Sequence, residues 1–144
     1  MSYIASFIQA IVTLLLFALI STQVSAESPT QIDGATRISA EELITLAGEH
    51  PDLILIDSRI SANRKHGYID GSLSLPDTDT TCETLEKFIP TVETPAAFYC
   101  NGVKCGRSAR AIKVAIDCGY SHLYWFRGGF DEWKQKRFPY LHQE

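Results

Sequence analysis

The chain has 144 residues, 45% of them hydrophobic and 21% charged, with 13 basic against 17 acidic side chains. That composition excludes a disordered, collagen-like or coiled-coil chain and fits one domain with a buried core. A net charge of −4 tells against a surface built for nucleic-acid phosphates, and four cysteines are too few for a disulfide-dominated scaffold.

The first 26 residues hold no Lys, Arg, Asp or Glu. Residues 11–20 form an apolar run, and the small residues Val24-Ser25-Ala26 follow it. This is the pattern of an export leader cut between Ala26 and Glu27. The alternative is an uncut membrane anchor through residues 4–20, about 26 Å of helix. Either way residues 27–144 are expected outside the cytoplasm, with a periplasm as the expected compartment. Residues 27–37 are polar and without period, and read as a tether. Residues 38–140 then form one domain.

In Ser39-Ala40-Glu41-Glu42 the spacing is that of a capping box, so a helix is predicted from there to the stop at His50-Pro51. Residues 53–56 are a short continuous apolar run, the pattern of a strand buried on both faces. Residues 60–72 read as loop, and 73–75 as a brief strand stopped by Pro76. A short helix is predicted over 80–88, then a buried strand over 96–99 that runs into Cys100. Next come a helix over 107–118 closed by Gly119, a strand over 122–126, a turn at Gly128-Gly129 and a last helix over 130–136. Strands alternating with helices predict an α/β fold, its central sheet mainly parallel with helices on both faces. Ligands of such sheets bind at the carboxyl ends of strands, where Cys100 sits.

A cysteine between a buried strand and a helix start lies among unpaired backbone N–H groups, which stabilise a thiolate or a bound oxyanion. Lys104, Arg107 and Arg110 add positive charge there. Two readings stand for Cys100: a nucleophile, or a small cysteine buried in the core. The cationic loop favours the nucleophile.

Three separated motifs resemble those of the rhodanese-like (sulfurtransferase) family. The first is Leu55-Ile56-Asp57-Ser58-Arg59, followed by His66-Gly67-Tyr68-Ile69-Asp70-Gly71-Ser72 and Leu75-Pro76. The second is Tyr99-Cys100 with Arg107-Ser108. The third is Arg127-Gly128-Gly129-Phe130-Asp131-Glu132-Trp133 with Pro139. The resemblance spans about 38–139 and implies a rhodanese-like three-layer sandwich. It also implies a sulfur-transfer mechanism without metal or organic cofactor. Cys100 corresponds to the family's nucleophile, which takes the outer sulfur of thiosulfate as a persulfide and passes it to cyanide or a thiol. The loop Asn101, Gly102, Val103, Lys104, Cys105, Gly106 and Arg107 would cradle the anionic donor. Asp57 and Arg59 would form a buried ion pair supporting the site.

The loop departs from the family pattern. Six residues separate Cys100 from Arg107, where the family commonly has four and the related cell-cycle phosphatases five. Cys105 lies inside it, a C-x4-C arrangement, either as a resolving thiol for Cys100 or as part of the loop wall. An active Cys100 outside the cytoplasm calls for a thiol reductant protein as partner. Cys82 and Cys118 read as small buried residues, with three full pairings of the four cysteines open. No CxxC pair or His partner stands at zinc-ligand spacing, so no metal is expected. His66 reads as a turn residue. Trp125, Phe126, Phe130 and Trp133 read as core, with Trp133 also a candidate pocket wall. The expected function is an exported, monomeric sulfurtransferase with no nucleic-acid partner. The alternatives are phosphatase, arsenate-reductase or thiol redox chemistry on the same scaffold, or a binding module without catalysis.

Overall fold

The computed structural model describes residues 28–143; the leader or anchor expected over 1–26 lies outside them. Five strands form one parallel sheet: β1 (Thr36–Ile38), β2 (Ile54–Asp57), β3 (Leu73–Ser74), β4 (Ala96–Tyr99) and β5 (Leu123–Phe126), in the order β1-β5-β4-β2-β3. Among the described residues four α-helices accompany them: α1 (Ala40–Glu49), α2 (Cys82–Phe88), α3 (Arg107–Asp117) and α4 (Gly129–Gln135). Among the described residues no helix is long and apolar enough to cross a membrane.

The central strand β4 is buried at all four positions, and its alternation divides the core. Ala96 and Phe98 face α2 and α3, packing with Ile56, Leu85, Ile112 and Trp125. Ala97 and Tyr99 face α1 and α4, packing with Leu43, Phe126, Phe130 and Trp133. The inner strands β2, β4 and β5 carry apolar residues on both sides, which is why they read as continuous apolar runs rather than alternating ones. The sheet with helices on both faces is the three-layer sandwich expected from the sequence.

At the start of α1 the capping box forms as its spacing predicts: Ser39 Oγ accepts from Glu42 N–H, and Glu42 Oε2 accepts from Ser39 N–H. A second box opens α2, where Thr81 and Thr84 cap each other. Residues 60–72, expected as loop, include a 3₁₀ segment over Ser61–His66 that places His66 in its last turn.

One correction concerns the N-terminal side. Residues 27–37 were expected as a tether, yet Thr36 and Arg37 belong to β1, which pairs in register with Tyr124 and Trp125 of β5. Ile32 is buried in the core. Only β5, far along the chain, supplies the hydrogen-bonding partner that makes this polar triplet a strand, so no local pattern marks it.

Candidate functional site

Cys100 is the first residue past β4. The strand's alternation turns its side chain to the α3 face, where it is 1% exposed. Ser108, in the first turn of α3, donates its hydroxyl toward Cys100 Sγ at 3.3 Å, and Trp125 Nε1–H of β5 donates to Ser108 Oγ at 2.9 Å. A fully buried tryptophan thus fixes the hydroxyl beside the sulfur. The α3 N-cap, Gly106, offers no side-chain cap, so the positive end of the helix is turned to this corner unneutralised by a side chain.

The loop 101–106 folds back on Cys100. Cys105 N–H donates to the Gly102 carbonyl at 2.9 Å, a tight turn that brings the Cα atoms of Cys100 and Cys105 to 6.4 Å, and the two cysteines are bridged. The Cys105 carbonyl oxygen lies 3.2 Å from Cys100 Sγ. Among the described residues no loop N–H donates to that sulfur. The expected cradle of converging N–H groups is therefore not the conformation of the bridged loop, because closing the bridge turns a carbonyl toward the sulfur.

The far side of the loop is held by the Gly128-Gly129 turn. Phe130 N–H donates to the Cys100 carbonyl at 2.9 Å and Asp131 N–H to the Asn101 carbonyl at 2.7 Å. Gly129 has φ +59°, and a Cβ there would collide with the Cys100 carbonyl oxygen. The backbone approach needs a glycine both for conformation and for space.

Above the loop opens a cavity of about 710 Å³ lined by Asn101 through Arg107, with Arg110, Gly128, Asp131, Glu132 and Gln135. Seven of the residues expected around an anion thus share one surface. Arg107 is corrected in one respect: its guanidinium is drawn to Asp77, with Nη1 donating to Oδ1 at 2.8 Å, and Arg110 clasps the same carboxylate at 2.8 Å. Burial would raise the Asp77 pKa, but hydrogen bonds and charge from both arginines outweigh it and hold the carboxyl below its ordinary 3.8. Asp77 was not among the sequence candidates; it follows Pro76 in a surface turn and has no local mark. Lys104 makes no ion pair among the described residues and stands exposed on the cavity rim.

Beneath the site lies a buried polar network. Asp57 is 1% exposed and accepts from Arg59 Nε at 2.8 Å, Arg59 Nη2 at 2.7 Å, Arg64 Nη1 at 3.3 Å and the Tyr99 hydroxyl at 3.0 Å. Burial acts to lower the Arg59 pKa, but the Asp57 hydrogen bonds and charge prevail and raise it. Burial, reinforced by the Asp57 charge, pushes the Tyr99 phenol far above its ordinary value, so it stays a donor. The network ties β2, the 3₁₀ segment and β4 together on the face opposite Cys100. Ser58, one residue past β2 and hydrogen-bonded through its N–H to the Tyr99 carbonyl, keeps a buried hydroxyl with no partner.

Trp133 does not wall the cavity above the loop. It sits on the other face of the sheet, edge-on to Phe126 and Phe138, with Nε1–H donating to the Pro139 carbonyl at 2.8 Å, beside a second cavity of about 330 Å³. Cys82 and Cys118 are not the small buried residues expected: Cys82 is exposed and Cys118 half-buried, and they are bridged, with Cα atoms 5.5 Å apart, joining the start of α2 to the end of α3. Among the described residues no three His, Cys, Asp or Glu side chains converge as metal ligands would.

The described residues define a parallel α/β sandwich with a cysteine at the carboxyl end of its central strand. The rhodanese-like domain family matches residues 39–136, and the chain belongs to that family. A Bacillus halodurans protein of known structure superposes with a TM-score of 0.66 at 18% identity, covering 75% of this chain and 77% of the other. A Pseudomonas aeruginosa thiosulfate sulfurtransferase gives 0.61 at 20% identity over 76% of this chain, which spans 21% of that larger protein. The polysulfide-sulfur transferase homodimer of Wolinella succinogenes gives 0.61 at 25% identity, covering 77% of this chain and 81% of that one. No curated protein matches the sequence.

Proposed function

We propose that this domain is a sulfurtransferase in which Cys100 carries sulfur as a persulfide. The observation that carries the reading is the seat of Cys100 at the end of β4, with its sulfur against the first turn of α3 and the Ser108 hydroxyl. A helix N-terminus and a donated hydrogen bond both favour the thiolate, which is the reactive form of the group. Sulfurtransferases among the structural neighbours support the same chemistry on this fold.

Once the bridge to Cys105 is opened, the Cys100 thiolate attacks the sulfane sulfur of a small anionic donor such as thiosulfate. The donor's S–S bond breaks, its electron pair leaves with sulfite, and Cys100 holds a persulfide anion. An acceptor, cyanide or a thiol, then attacks the outer sulfur and frees the Cys100 thiolate. Lys104 on the cavity rim supplies a cation for the donor, unpaired among the described residues, and the arginines clasped to Asp77 add to the field. An export leader in residues 1–26 and an extracytoplasmic site of action belong to the same proposal, as does a thiol reductant that keeps the loop open.

The test is the peptide mass of reduced protein after incubation with thiosulfate. One added sulfur on the Cys100 peptide, removed by cyanide and absent in Cys100→Ser, is the expected result. No uptake by a Cys100 that is reduced and still alkylated by iodoacetamide would refute it, and would raise phosphatase chemistry or a binding role in its place.

A further inference from the structure

Transfer to an outside acceptor makes no use of Cys105, yet Cys105 is the best-placed thiol in the molecule to meet Cys100. The turn closed by Cys105 N–H on the Gly102 carbonyl carries it back over the loop onto its partner. Its peptide is held independently of the bridge. The Ser28 hydroxyl donates to the Cys105 carbonyl at 3.3 Å, and Arg127 Nε pins the neighbouring Pro29 carbonyl at 2.7 Å. The other two cysteines are tied to each other between α2 and α3, so neither competes. The partners also differ in access. Cys100 is 1% exposed at the base of the loop, whereas Cys105 is half-buried and lines the cavity.

Resting on the reading of Cys100 as sulfur carrier, we infer that Cys105 is a resolving thiol: the domain discharges its persulfide internally, releases hydrosulfide, and is recycled by a dithiol reductant. The Cys105 thiol attacks the inner sulfur of the Cys100 persulfide, and a Cys100–Cys105 bond forms. The bond between Cys100 Sγ and the outer sulfur breaks, its electron pair leaving with that sulfur, which keeps the Cys105 proton as hydrosulfide. Both cysteines are oxidised and the sulfane sulfur is reduced. A dithiol then attacks the bridge and leaves as its own disulfide, restoring two thiols. Over the cycle, thiosulfate and a dithiol give sulfite, hydrosulfide, a disulfide and one proton. Contact between Cys100 and Cys105 in the bridged loop selects the inner sulfur as the point of attack. Attack on the outer sulfur would only move the persulfide along the loop. The more accessible partner, Cys105, lines the cavity and is the sulfur a dithiol protein reaches first.

The test is a single turnover: protein reduced with a dithiol, freed of it, and mixed with one equivalent of thiosulfate. The expected products are sulfite and hydrosulfide in equal amounts, with the protein recovered bridged between Cys100 and Cys105 in its peptide map. A Cys82→Ser/Cys118→Ser background should behave alike, excluding the thiols that reduction frees elsewhere. Cys105→Ser should still release sulfite but stop as a Cys100 persulfide, with hydrosulfide release slowed at least about tenfold. A wild-type protein that halts as a stable Cys100 persulfide, or whose extra sulfur is found on Cys105, would overturn the inference while leaving Cys100 the carrier. No sulfur on Cys100 in wild type or Cys105→Ser, and no hydrosulfide, would overturn the carrier itself. The wild-type peptide map decides between these without any variant.

Discussion

The two bridges differ in the length of chain they close, and that difference predicts very unequal contributions to stability. Cys82 and Cys118 are 36 residues apart, whereas Cys100 and Cys105 are 5 apart. A cross-link removes loop-closure entropy from the unfolded chain in proportion to the logarithm of that separation, which gives about 4 kcal/mol for the first bridge and about 2 kcal/mol for the second at 25 °C. Against a total stability of about 5–15 kcal/mol, loss of the first is severe, and it lowers the melting temperature by about 15 °C. Cys82 is exposed and Cys118 only partly buried at the edge of the core, so Cys82→Ser/Cys118→Ser reports the cross-link together with a small packing loss at Cys118. Urea unfolding of that variant and of Cys100→Ser/Cys105→Ser, each against wild type, is the assay. The denaturant slope should rise in the first variant, because the unfolded chain loses its constraint and exposes more surface. A cost below about 1 kcal/mol for the long bridge, or a reversed order of the two, would refute the reasoning.

Asp57→Asn leaves the Arg59 guanidinium buried without its carboxylate and should cost about 3–5 kcal/mol in urea unfolding; a cost under about 1 kcal/mol would show that the network is replaceable. Because the folded Asp77 pKa is lowered, its contribution is fully present above pH 3.8 and is lost as pH falls through the lowered value. The stability gap between wild type and Asp77→Asn should therefore close on acidification below pH 3.8, and a gap independent of pH would contradict the two-arginine clasp. Gly129→Ala must take up a left-handed backbone, worth about 1–2 kcal/mol, and also push back the Cys100 carbonyl. It should lower stability and abolish sulfur uptake at Cys100; an unchanged urea midpoint would show that the turn has other ways to fit.

Wherever the determining interactions are local, the sequence carried them alone. The box at Ser39 and Glu42 lies within four residues, and the strands β2, β4 and β5 announce themselves by apolar runs that only a doubly covered sheet can bury. The strand end at Cys100, the helix start at Arg107 and the turn at Gly128-Gly129 were legible one by one, but that the turn clamps the Cys100 loop was not. Features set by distant partners were illegible. Thr36-Arg37-Ile38 has no strand pattern of its own, and only the unpaired edge of β5 makes it one. The direction of Arg107 was decided by Asp77, thirty residues earlier in the chain, because an opposite charge close by is the strongest claim on a guanidinium. Trp133 went to the far face because α4 lies across the sheet from Cys100. The sequence could count four cysteines but not pair them. A pairing depends on which Cα atoms come within reach of each other, and those distances exist only once the sheet has brought α2 beside α3 and folded the loop back onto β4.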